Sequence, residues 1–127
     1  MLLLDASLLI ELERELAHAS VGAIRTFLGQ NRGEMLACST VTVGEFASGT
    51  DAEAARFFLR RLRKIPLDEA IAYRAGELDR TLARLGKRLG ENDNWIAATA
   101  LHLSATLVHV DGDFRRVPRL KRHHPRT

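Results

Sequence analysis

Four carboxylates, Asp5, Glu45, Asp93 and Asp111, stand where a folded chain could gather them round one small volume. Asp5 closes the apolar run Leu2-Leu3-Leu4. Asp111, with Asp113 two residues on, follows the apolar and β-branched run Thr106 to Val110. Glu45 lies just beyond a second short apolar run, and Asp93 stands at a predicted helix start. Unpaired carboxylates brought together repel and raise one another's pKa, which is costly unless a hard cation occupies the centre. Mg2+ suits such a place, with Mn2+ as a substitute. It prefers oxygen donors, keeps several waters and needs only one or two protein carboxylates beside a substrate phosphate. The chemistry implied is phosphodiester hydrolysis, with a carboxylate taking the proton of the attacking water.

Each acid also has an ordinary structural use. Asp51 and Asp68 read as helix caps, Asp93 does so equally well by position alone, and Glu45 reads as an exposed helix acid. Asp5 resists that reading most, because a carboxylate directly after a buried apolar strand needs a partner.

The elements that must position these acids alternate in type. Leu2 to Leu4 reads as a strand buried on both faces. Helices follow over Ser7 to about Leu16 and Val21 to about Gln30, the second with Ser20 as its N-cap. Met35 to Cys38 is a second strand, and Ser39-Thr40 caps a helix through Val43 and Phe46 to Gly49. Asp51 starts a helix ending in the basic cluster Arg60, Arg61, Arg63 and Lys64. Asp68 starts a long amphipathic one with Ile71, Ala75, Leu78, Leu82 and Leu85 on one face, stopped by Gly86. Asp93 opens a last helix to Leu103, and Thr106 to Val110 is the strongest later strand. This order predicts an α/β domain, three layers deep, with a mainly parallel sheet between helices. Ligands of such sheets sit beyond the carboxyl ends of the strands, where these acids fall.

The chain of 127 residues has the length of one domain, 1–127. Its net charge of +3 is unevenly spread. The segment 115–127 reads as a basic C-terminal tail with six basic residues and no acid, which leaves the rest of the chain net acidic. Arg115, Arg116, Arg119, Lys121 and Arg122 are therefore the expected contacts to a phosphate backbone. No basic leader precedes the first leucines, and their run is too short to span a membrane, so a cytoplasmic protein with no membrane partner is expected. The lone Cys38 excludes an internal disulfide and reads as a buried, inert thiol. The histidines lack zinc-site spacing.

The stretches Leu3-Leu4-Asp5-Ala6-Ser7, Thr40 to Gly49, Asn92 to Ala100 and Leu107 to Phe114 resemble, in order and spacing, the four signature segments of the PIN-domain family as found in its VapC toxins. The resemblance implies a PIN-like three-layer fold and a metal-dependent endoribonuclease, the toxin of a VapBC-type toxin-antitoxin pair. It places Asp5, Glu45, Asp93 and Asp111 in the catalytic acid positions, with Asp5, Asp93 and Asp111 on the metal. Ser7 becomes the small polar residue supporting the first acid, with Asn94 and Asp113 as further supporting residues. It also implies an RNA substrate, a cognate VapB-type antitoxin as partner, and a homodimer. His109 departs from the family's usual Thr, and Asp113 competes with Asp111 for the fourth position.

Two other functions fit parts of the chain. A PIN-like module that has lost catalysis would bind RNA or protein through its basic tail, but all four acid positions are filled. A phosphotransfer receiver would need a strand-end aspartate at mid-chain and a lysine on the last strand, and the sequence has neither.

Overall fold

The computed structural model describes residues 1–126; Thr127, the end of the expected tail, lies outside them. Its frame is a sheet of five strands, β1 (Leu2–Leu4), β2 (Leu36–Ser39), β3 (Arg63–Ile65), β4 (Thr106–Val108) and β5 (Arg122–His123), in the order β3-β2-β1-β4-β5. Every neighbouring pair is parallel.

Alternating side chains of the central strands feed opposite faces, as strand geometry requires. Leu3, Ala37 and Leu107 join Ile71, Ala75, Leu78 and Leu82 of α5 (Glu69–Arg84) and Ile96, Ala97 and Ala100 of α6 (Glu91–Leu103) in one core. Leu2, Leu4 and Val108 join a second core on the other face. That core takes Leu8 and Leu9 from α1 (Ala6–Ala17), Ile24 from α2 (Ala23–Gln30), Phe46 from α3 (Thr40–Ala47), and Ala55 and Leu59 from α4 (Ala52–Leu59). This is the expected three-layer α/β/α arrangement. Cys38 is fully buried in β2, and burial pushes its thiol up to about 11. No helix among the described residues is long and apolar enough to cross a membrane.

Several element boundaries differ from expectation, each for a local reason. Strand β4 stops at Val108 because the N–H groups of Val110 and Asp111 both donate to Ser7 Oγ, at 3.1 and 3.0 Å, and so leave the ladder. Helix α6 starts at Glu91 behind Gly90, so Asp93 lies inside its first turn and is not its cap. Ser20 does not cap α2. The cap position is Gly22, and Glu15 reaches from α1 to accept from the N–H groups of Gly22, Ile24 and Arg25. The basic cluster contains strand β3, and the basic tail contains strand β5. Gly86 ends α5 with φ 69°, as expected of a helix-stop glycine.

Candidate functional site

The first strand leads directly into α1, and Asp5 at that junction is the helix N-cap. Its Oδ1 accepts the N–H of Leu8 at 3.0 Å and the hydroxyl of Ser7 at 2.7 Å. Helix α1 thus begins on the carboxylate, and the partial positive charge of its N-terminus faces the acid. Asp5 is only 4% exposed. Its pKa is pushed up to about 7, chiefly by burial. The bonds from Leu8 and Ser7 oppose that rise, while the charges of Asp93 and Glu45 add to it.

Those two charges come from opposite sides of the sheet. Glu45 projects from α3, and Asn92 Nδ2 donates to its Oε2 at 3.4 Å. Asp93 comes from the first turn of α6, and partial burial raises its pKa as well. Glu45, Asn92 and Asp93 line one opening. The strand order reverses on either side of β1, so its carboxyl end and that of β4 form the crevice where open α/β sheets bind ligands.

Ser7 ties Asp111 into this arrangement. Its Oγ donates to Asp5 and accepts from the backbone N–H groups of Val110 and Asp111, which uses its full bonding capacity. The backbone of Asp111 is therefore held one side chain away from Asp5, with its own side chain exposed. Gly112 turns the chain at φ 98°, where a Cβ would also meet Phe114 Cε2 at 2.7 Å. Beyond that turn, Asp113 pairs with Arg116 at 2.8 Å and Arg115 at 3.6 Å.

Asp5, Glu45 and Asp93 are thus in electrostatic contact, the Asp111 backbone but not its carboxylate is tied to them through Ser7, and Asp113 pairs with Arg115 and Arg116. Asn94 does not support the acids directly. It is buried and turned to α5, donating from Nδ2 to the carbonyl of Ala75 at 2.9 Å. The expected phosphate contacts Arg115, Arg116, Arg119, Lys121 and Arg122 are all exposed, but Arg115 and Arg116 are engaged by Asp113. Arg116 also donates to the carbonyl of Arg88 at 3.1 Å. His109 is buried, its Nδ1 lies 3.3 Å from the carbonyl of Asp111, and its ring meets Phe114 edge-on. Burial lowers its pKa, and its Nε2 is buried with no partner among the described residues. The site residue missed in the sequence is Asn92; its only signal was its place beside Asp93.

Among the described residues no three His, Cys, Asp or Glu side chains converge closely enough to clasp one ion. The donor set nevertheless fits a hard divalent cation. Asp5 Oδ1 is occupied, and its Oδ2 has no donor among the described residues. The neighbouring charges that raise its pKa are both acids. Mg2+ needs only one or two such carboxylates and fills its remaining positions with water.

The PIN domain family model matches residues 2–120. The chain is 27% identical over 128 residues to Ribonuclease VapC11 of Mycobacterium tuberculosis, covering 94% of this chain and 93% of that protein. In fold it is similar to VapBC2 from Rickettsia felis, bound to a DNA fragment from its promoter, with a TM-score of 0.83 at 23% identity and 98% of each chain covered. It is also similar to VapBC-5 of Mycobacterium tuberculosis, a member of the VapBC family of toxin-antitoxin systems, with a TM-score of 0.60 at 24% identity over 72% of this chain and 81% of that one.

Proposed function

The chain belongs to the PIN domain family, and on that premise we propose that it is a VapC-type ribonuclease, the toxin of a VapBC-type pair, which hydrolyses RNA phosphodiesters with Mg2+ or Mn2+ at its acid cluster. The observation that carries this reading is Asp5. A carboxylate buried at a strand end, its pKa pushed up to about 7 with Glu45 and Asp93 adding to the rise, is a site short of positive charge.

Asp5 and Asp93, with Asp111 from the loop tied to Ser7, would hold the cation. A bound divalent ion polarises a phosphoryl oxygen and lowers the pKa of an attacking water. Glu45, bonded by Asn92 at the rim of the opening, would be the carboxylate that takes the proton from the attacking water. Ser7 orients Asp5 and fixes the Asp111 loop by the same three bonds. The exposed Arg119, Lys121 and Arg122 offer phosphate contacts outside the acid cluster.

A VapB-type antitoxin is the expected partner, as in the VapBC structures of this fold. A homodimer is the expected assembly, and light scattering over a range of concentrations decides it. Incubation of the purified chain with total RNA tests the function. Cleavage that requires Mg2+ or Mn2+, stops with EDTA and is lost in Asp5→Asn supports it. RNA retained intact under all these conditions favours a binding module without catalysis.

A further inference from the structure

Arg116 is engaged in a way that sets it apart from the other basic residues of the tail. Gly112 turns the chain at φ 98° into a single 3-10 turn, Phe114–Arg116, with Asp113 as its N-cap. In such a turn, side chains three residues apart lie one above the other. Arg116 Nε accordingly meets Asp113 Oδ2 at 2.8 Å. A guanidinium carries its donors in a rigid fork, and the Nη1 of this one points away from Asp113 to the carbonyl of Arg88, at 3.1 Å. That carbonyl belongs to the link between α5 and α6. The link is itself fixed, because the side chain of Arg88 donates from Nε and Nη2 to the two carboxylate oxygens of Asp79 on α5, at 3.0 and 3.1 Å.

The two anchors of Arg116 lie on the two segments that carry acids proposed to hold the cation. Asp113 stands two residues past Asp111. Arg88 stands two residues ahead of Gly90, which caps α6 and lines the acid opening, and five ahead of Asp93. Among the described residues, no other hydrogen bond or ion pair joins residues 87–93 to residues 111–116.

We propose that Arg116 is a positioning residue, which clamps the loop after β4 to the link before α6 and so sets the spacing between Asp111 and Asp93. Asp113 acts through this arginine and not on the metal. The proposal rests on the nuclease reading, which supplies the role of the two acids as metal ligands. It removes Arg116 from the phosphate contacts that the charge of the tail implies. An ion pair as exposed as this one adds little to overall stability, so the clamp acts on local geometry. Groups that orient metal ligands from behind change metal affinity by roughly ten- to a hundredfold when lost.

Amide hydrogen exchange of the metal-free protein reads the clamp directly. In Arg116→Gln, exchange should quicken severalfold at both 87–93 and 111–113, on either side of the missing guanidinium. Calorimetric titration should show Mg2+ affinity falling about tenfold. Arg116→Lys, which keeps the charge but not the fork, should recover little of that loss. The double variant Arg116→Gln with Asp113→Asn should bind Mg2+ no more weakly than Arg116→Gln alone, because the two residues act as one unit. RNA binding without divalent cation should keep its salt dependence, whereas loss of a phosphate contact to a single strand would reduce the slope by about 0.7. Exchange that is unchanged or quickened in one segment only, full recovery with Lys, additive losses in the double variant, or a reduced salt slope would overturn the proposal. Quickened exchange in both segments of a chain whose wild type binds no Mg2+ and cuts no RNA would sink the nuclease reading and leave the clamp. Metal-dependent cleavage by a wild type whose exchange and Mg2+ affinity are untouched by Arg116→Gln would sink the clamp alone.

Discussion

Replacing Asp5 by Asn should make the metal-free protein more stable at pH 8, although the residue is buried and bonded. The cause is the proton. Below pH 3.8 the carboxyl is protonated in both the folded and the unfolded chain, and the substitution changes little. Between 3.8 and about 7 the folded chain holds a proton that the unfolded chain has lost, so stability falls as pH rises. Above about 7 the full cost of a buried charge is present. At 1.36 kcal/mol per pH unit, the interval from 3.8 to about 7 amounts to roughly 4 kcal/mol. Asn keeps the acceptor that caps α1 and receives Ser7, because an amide oxygen serves both bonds and Asn is among the best N-caps. Urea unfolding followed by Trp95 fluorescence in EDTA, at several pH values from 4 to 8, gives the comparison. The variant's advantage should grow from near zero at pH 4, reach a few kcal/mol and level off above pH 7. A variant no more stable than wild type at pH 8, or a difference flat with pH, would refute the account of Asp5 as a buried, destabilised acid.

Three further outcomes follow from the same geometry. Ser7→Ala removes a donor to Asp5 and leaves the N–H groups of Val110 and Asp111 without their acceptor, so it should cost about 1–3 kcal/mol in urea unfolding and push the Asp5 pKa higher still. Asp111→Asn should weaken Mg2+ binding and RNA cleavage more than Asp113→Asn, whose carboxylate is already paired with Arg115 and Arg116; a larger loss at Asp113 reverses the assignment. Changing Arg119, Lys121 and Arg122 together to Gln should flatten the salt dependence of RNA binding by up to about 3 in slope, whereas an unchanged slope assigns the tail to the fold alone.

The parts of this fold legible in the sequence are those whose signals are local. Three buried leucines followed by an acid announce β1 and its end. Ser39, Asp51 and Asp68 cap α3, α4 and α5 through bonds to N–H groups three residues on, a spacing visible in one dimension. The edge strands were not legible. Arg63 and Lys64 of β3, and Arg122 and His123 of β5, are exposed, because edge strands carry charge against unwanted pairing and so look like basic surface. Nor could the sequence show that Glu15 would cap α2, or that Ser7 would end β4 from a hundred residues away. At the site, strand-end position and motif spacing led to Asp5, Glu45 and Asp93. The orientation of Asn94 toward α5 depends on helix packing, which residue spacing does not encode.

On the proposed reading, Asp5 surrenders its proton when a divalent cation binds. Calorimetric titration of Mg2+ at pH 7, in two buffers of different ionisation enthalpy, counts the protons released on binding. With the Asp5 pKa pushed up to about 7, binding should release about half a proton per ion from this group in the wild type, and Asp5→Asn should bind far more weakly. Absence of Mg2+ binding, or binding whose affinity and proton count are the same in Asp5→Asn, would contradict the central claim.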